Sequence, residues 1–188
     1  MKLAVYKGYM IPGIHFNNCS IWIINWLDNP SDIKNMCEIW VLMHTGEKIC
    51  YISSDEAIPI FKKYHSFDKV IPANISLMGY DGKINLKVIS NNQKVLSLSL
   101  EIKKTVKYRI INFILKHRNN KVYEQGKTET GKSFQNLPHK IELLLINYAE
   151  YKNNELSAIK TPPIEFALGN GKPSSEPIIN YCIHKLEE

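Results

Sequence analysis

Among the side chains able to do chemistry, Lys69 has the least ordinary surroundings: the stretch HSFDKVIPANISL sets it between an aromatic-acidic pair and an apolar Val-Ile-Pro. Apolar company depresses the pKa of an ammonium from its usual ~10.4, because desolvation penalises the charged form. Taken alone, the residues favour a plainer reading, a surface lysine before a strand. The six histidines, His15, His44, His65, His117, His139 and His184, are scattered and no metal set is assigned to them. The four cysteines, Cys19, Cys37, Cys50 and Cys182, form no C-x-x-C pair, which removes zinc-site spacing and suggests buried thiols in a reducing compartment. No glycine-rich phosphate loop, nucleophile elbow, H-E-x-x-H or EF-hand spacing occurs, and GNGKPSS, Gly169 to Ser175, reads as a turn.

The elements that must position these residues are short β-like runs. SIWIINW (Ser20 to Trp26) ends at LDNPSD, where Asn29-Pro30 stops a strand and Ser31 can cap a short helix. EIWVLMH and KICYIS flank Thr45-Gly46-Glu47, a hairpin turn. SSDEAIPIFKKYH opens with the candidate caps Ser53, Ser54 and Asp55 and an acidic first turn at Glu56, giving a short helix started or interrupted near Pro59. Hairpins are then expected at Asp81-Gly82, Asn91-Asn92 and Asn119-Asn120, with Leu96, Leu98, Leu100 and Ile102 alternating on one face. KIELLLINYAEYK is a strand or a helix, since its contiguous apolar residues do not decide. The tail, with Ile164, Phe166 and Leu168 in alternation before PIINYCI, reads as a long loop and a final packed strand.

The chain has 188 residues, 44% of them hydrophobic, which fits one globular domain over residues 1–188. Its formal net charge of +6 comes almost wholly from lysine, with Arg109 and Arg118 the sole arginines, so nucleic-acid recognition is not expected. The amino terminus lacks a signal-peptide core, and no apolar run approaches the ~18 residues of a membrane span. A cytoplasmic protein without membrane association is the expectation.

Order and spacing carry a further signal. ICYISSDEAIPIFKKYHSFDKVIPANISL gives a strand, a short helix beginning at DEA, an aromatic-x-Lys and a second strand. This order resembles the acetoacetate decarboxylase superfamily, and weak similarity extends over most of Ser20 to Tyr181. The resemblance implies a mainly β, β-rich α+β fold: an antiparallel β-barrel or double sheet with a few short helices. It implies that Lys69 takes the place of the Schiff-base lysine, with Glu38 as the acidic partner and Phe67 near the family's aromatic position. The family's carboxylate-holding arginine corresponds to Leu27, and its second lysine to Val70.

An amine attacks a ketone only when unprotonated, and acetoacetate decarboxylase is itself the standard instance of a lysine activated by a neighbouring cation. With Val70 there, apolar burial would have to lower the Lys69 pKa. The implied function is a carbon-carbon lyase acting on a small keto acid or related carbonyl compound, without cofactor. Aldolase, dehydratase or cyclase chemistry on the same fold, or a barrel that only binds a small molecule, are the alternatives, and a homo-oligomer is left open. A third class, an interaction module, would cluster Lys103, Lys104 and Lys107 on one face.

Overall fold

The computed structural model describes residues 2–31, 33–34, 36–118, 124–162, 168 and 174–188. Strands β1 (Leu3–His15), β2 (Cys19–Asp28), β3 (Met36–Met43) and β4 (Lys48–Ile52) pair antiparallel in sequence order. Helix α1 (Ala57–Tyr64) then leads to β5 (Lys69–Pro72), and β6 (Asn74–Tyr80), β7 (Lys83–Ser90) and β8 (Gln93–Lys103) follow. Helix α2 (Val106–His117), β9 (Glu124–Lys127), β10 (Ser133–Tyr151), β11 (Asn154–Glu155) and β12 (Ile178–Glu187) complete the described chain. The hydrogen-bonded order is β5-β4-β3-β2-β1-β12-β10-β8-β7-β6, with β9 and β11 attached to β10.

The fold is mainly β with two helices, as expected. It departs from a wholly antiparallel ladder at one place: β5 pairs parallel with β4, because α1 carries the chain back to the same end of the sheet. The hydrogen-bonded path is also open-ended, from β5 to β6, among the described residues.

Turn chemistry sets the hairpins. Asp81 and Gly82 have φ of 49° and 74°, and Asn91 and Asn92 have 50° and 60°, the paired positive values that two-residue hairpins need. Gly46 (φ 97°) turns β3 into β4. A further such turn, Lys152 (49°) and Asn153 (63°), joins β10 to β11.

Side-chain parity divides the interior. Ile21, Ile23, Cys37, Ile39, Val41, Ile49 and Tyr51 belong to one apolar cluster, which they share with Leu86, Val88, Leu96, Leu98 and Leu144 from β7, β8 and β10. The alternate residues of the same strands, Ile24, Trp26, Trp40, Leu42, Cys50 and Ile52, belong to a second cluster with Phe61 and Tyr64 of α1. Both faces of β2 to β4 are therefore buried, which is why SIWIINW and EIWVLM read as near-continuous apolar runs.

Three expectations need correction. Among the described residues no helix follows Ser31; instead the Asn29 side chain accepts from Ser31 N–H at 3.1 Å and donates to the Ile33 carbonyl at 2.8 Å. The segment read as a strand before Asn119 is α2. Thr105 caps it by accepting from Tyr108 N–H, and Tyr108, Ile111, Asn112 and Leu115 recur at helical spacing on its inner face. Glu56 precedes the first turn of α1 as its N-cap residue, and Pro59 falls inside that first turn, where a missing N–H costs no helical bond. The ambiguous KIELLLINYAEYK is strand, as part of the 19-residue β10. The expected turn at Asn119-Asn120, the alternation of Ile164 and Phe166, and most of GNGKPSS lie outside the described residues. No helix among the described residues is long and apolar enough to cross a membrane.

Candidate functional site

A cavity of about 590 Å³ opens on the second cluster, between α1 and the sheet face made by β1, β2, β3, β10 and β12. Parity brings Glu38 into it. On β3 the cavity face carries Met36, Glu38 and Trp40; across the β2–β3 ladder Trp22 pairs with Trp40 and Ile24 with Glu38. The Trp22 and Trp40 rings lie 5.6 Å apart at 7°, forming a stacked wall. Trp40 Nε1 donates to Glu38 Oε2 at 3.0 Å.

Glu38 is 4% exposed, and that burial pushes its carboxyl above the usual range, against the pull of His65 and the indole N–H groups of Trp40 and Trp26. His184 of β12 stacks on Trp26 (5.6 Å) and Phe134 (5.5 Å). Burial drives its pKa down to about 3, with the nearby His65 adding to the fall, so the ring is a neutral imidazole at neutral pH. Burial thus shifts both groups toward their uncharged forms, since each would otherwise hold a poorly solvated charge.

Four buried polar atoms of the wall have no hydrogen-bond partner: Trp22 Nε1, Asn136 Oδ1, Asn180 Oδ1 and His184 Nδ1. Each such atom costs about 1–3 kcal/mol if left unpaired. All four lie on the wall of the one cavity.

The mouth is shaped by two pieces. His65 caps the C-terminus of α1, its N–H bonded to the Phe61 carbonyl at 2.9 Å, and its ring packs 4.7 Å from Trp40. Glu129 reaches it from the turn between β9 and β10, where Thr128 also lines the cavity. That turn is closed by Gly131 (φ 83°) and tied to α1 through a 2.8 Å bond from Thr130 Oγ1 to the Lys63 carbonyl.

Lys69 is not part of this site. In the β4–β5 register it stands beside Ile49, and Val70 beside Cys50; Ile49 belongs to the first cluster and Cys50 to the cavity side. The residue facing the second cluster is Val70. The Lys69 side chain is 57% exposed and its ammonium lies 2.6 Å from Glu47. Hydrogen bonding to Glu47, and then that carboxylate's charge, raise the Lys69 pKa, the reverse of what a nucleophilic amine needs. The expected desolvation fails because a four-residue edge strand alternates, and position 69 falls on the open side.

Leu27, the expected counterpart of a substrate-binding arginine, is 68% exposed at the end of β2. Phe67 is half-buried and packs 5.1 Å from both Trp40 and Phe61, behind the cavity wall. Of the expected site residues, Glu38 alone lines the cavity. No lysine or arginine lines it among the described residues. Lys107, which an interaction module would place in a basic cluster, is bonded to Glu176 at 2.7 Å. Reading the sequence residue by residue missed the aromatic wall and both cavity histidines. The signal lay in parity, since Trp22, Ile24 and Trp26 of β2 and Glu38 and Trp40 of β3 share one face of the sheet.

Comparison with known proteins yields a likeness of fold. Acetoacetate decarboxylase from Legionella pneumophila subsp. pneumophila str. Philadelphia 1 superposes with a TM-score of 0.50 at 8% identity, covering 98% of this chain and 84% of that one. A second acetoacetate decarboxylase structure gives 0.48 at 9% identity over 99% and 87%. No family model matches the chain, and no curated protein matches it. The fold is thus acetoacetate decarboxylase-like.

Proposed function

We propose that the protein binds an uncharged small molecule bearing a carbonyl group, held in the cavity between α1 and the sheet. The observation that carries this reading is the unpaired Trp22 Nε1 donor on the wall of a chamber that no lysine or arginine lines among the described residues; the unpaired Asn136 Oδ1 and Asn180 Oδ1 are acceptors and would take an N–H or O–H of the ligand. A carboxylate ligand would enter a chamber with no lysine or arginine on its wall among the described residues, so desolvation opposes it. An uncharged ring system loses little on entering and stacks on the tryptophans. A carbonyl oxygen is offered a donor by the Trp22 N–H, and by the Glu38 carboxyl in the protonated form that burial favours. The volume of about 590 Å³ lies within the usual size of small-molecule sites.

This is the binding form of the acetoacetate decarboxylase-like fold. The lyase form through a Schiff base on Lys69 has no support from the geometry, because that amine is outside the cavity and ion-paired to Glu47.

The test uses the three tryptophans of the wall as reporters. Titration with 2-tetralone or 1-indanone should quench their fluorescence saturably, while acetoacetate at equal concentration should not. Saturable binding of acetoacetate in preference to the ketones would overturn the reading.

A further inference from the structure

One arrangement at the cavity mouth goes beyond holding a ligand. His65 Nδ1 lies 3.5 Å from Glu129 Oε2, and the same carboxylate accepts from Ser66 N–H at 3.2 Å and is ion-paired through Oε1 to Lys48. The Glu129 side chain is 7% exposed and that of His65 is 21% exposed. Burial alone would raise the Glu129 carboxyl, yet its bonds to His65 and Lys48 prevail and hold it below the usual carboxylate range. The carboxylate is thus charged, fixed by three partners, and set behind one nitrogen of an imidazole whose ring lines the cavity. The other nitrogen, Nε2, has no bond among the described residues. Glu38 lines the same chamber, bonded to the Trp40 indole against which His65 packs.

We infer that this cavity catalyses proton transfer on the carbonyl compound it binds, with His65 as the base, Glu129 as the residue that positions it, and Glu38 as the acid. This rests on the carbonyl-binding reading above. The substrate class is an uncharged ketone with a hydrogen on the carbon next to the carbonyl.

The step balances without a co-reactant. His65 Nε2 takes the proton from the α-carbon, and the C–H electron pair becomes the carbon-carbon double bond of the enol. The carbonyl π pair takes the proton of the Glu38 carboxyl. His65 is then an imidazolium stabilised by Glu129, Glu38 is a carboxylate, and the ligand is a neutral enol. Return of a proton to the same carbon gives exchange with solvent hydrogen; return to a conjugated carbon gives a double-bond isomer. An acid and a base that line one chamber are the requirement for such chemistry.

The geometry separates this pair from a Schiff-base mechanism, since neither group forms a covalent bond to the ligand. It also gives His65 a role that its half-buried position at a helix end does not require.

The experiment follows deuterium incorporation at the α-carbon of 2-tetralone and 1-indanone in D2O by NMR, beside the fluorescence affinity for each ketone. The expected result is exchange at least tenfold above the buffer rate, lost in His65→Gln with affinity retained within about twofold. Glu129→Gln should slow exchange severalfold without changing affinity, a split that a merely structural residue would not produce. Retained affinity shows that each variant is folded. Saturable binding with exchange at the buffer rate overturns this inference and leaves the binding reading standing. Absence of binding by the wild-type chain overturns both.

Discussion

The Lys69 ammonium and the Glu47 carboxylate meet at 2.6 Å on the outer side of the β4–β5 edge, one residue away from Val70, which faces the second apolar cluster. A difference of one position along a strand is a difference of face. The amine is solvated, paired and protonated, and the residue in the sheltered position cannot act as a nucleophile. Borohydride added with acetoacetate is therefore expected to leave the intact mass of the chain unchanged. Lys69→Met should keep the affinity for 2-tetralone and hold the melting temperature within a few degrees, since exposed ion pairs contribute little. An adduct of reduced acetoacetate mapped to Lys69 would show that the edge opens to the cavity in solution.

The trace of Lys69 also shows what one chain of residues does and does not disclose. Hairpin turns were legible because Asp81-Gly82 and Asn91-Asn92 need positive φ, which few residues tolerate. Glu38 was legible as a strand-borne acid. The face of β5 was not legible, because Lys69, Val70, Ile71 and Pro72 show no alternation that fixes which side is buried until β4 pairs with them. Helix α2 was hidden for a different reason: its outer face carries Val106, Ile110, Phe113 and Ile114, all exposed, so apolar residues surround it and mask the helical spacing of Tyr108, Ile111, Asn112 and Leu115. His65 and Glu129 are 64 positions apart and belong to different loops, and no local pattern joins them.

The cap of that helix offers a test of the corrected assignment. Thr105 Oγ1 accepts from Tyr108 N–H at 3.4 Å, a long bond, and the residue sits in extended backbone as an N-cap should. Thr105→Ala is expected to destabilise the chain by about 1 kcal/mol or somewhat less in urea unfolding. Thr105→Asp should restore or exceed the wild-type value, because a carboxylate both caps and complements the helix dipole. A strand at this place would show no such ordering of the two variants.

Trp22 separates stability from binding. Its indole N–H is buried without a partner, so the unliganded chain carries the cost of an unmet donor. Trp22→Phe keeps the ring against Trp40 and removes that donor. The unliganded variant is expected to melt at the wild-type temperature or higher, while the affinity for 2-tetralone falls by roughly five- to tenfold, about the contribution of one hydrogen bond. Loss of stability with unchanged affinity would mean that the N–H serves the fold and not the ligand.

Glu38 and His184 make opposite demands on pH, and the sign of each follows from proton counting. Glu38 has a raised pKa in the folded chain, so above the unfolded value near ~4.3 the native state holds a proton that the unfolded state has lost, and stability falls as pH rises up to the folded pKa. His184 is lowered to about 3, so on acidification below the unfolded value near ~6.5 the unfolded state gains a proton that the native state refuses, and stability falls as pH falls. Each slope is at most about 1.4 kcal/mol per pH unit, and the two have opposite signs. Glu38→Gln should therefore gain stability relative to wild type as pH rises above about 4.3, and His184→Phe should gain relative to wild type as pH falls below about 6.5. Chemical denaturation of the three proteins from pH 4 to pH 8 measures both differences. Parallel curves for wild type and Glu38→Gln would mean that this carboxyl is solvated and charged, and a charged Glu38 could not donate to a carbonyl oxygen.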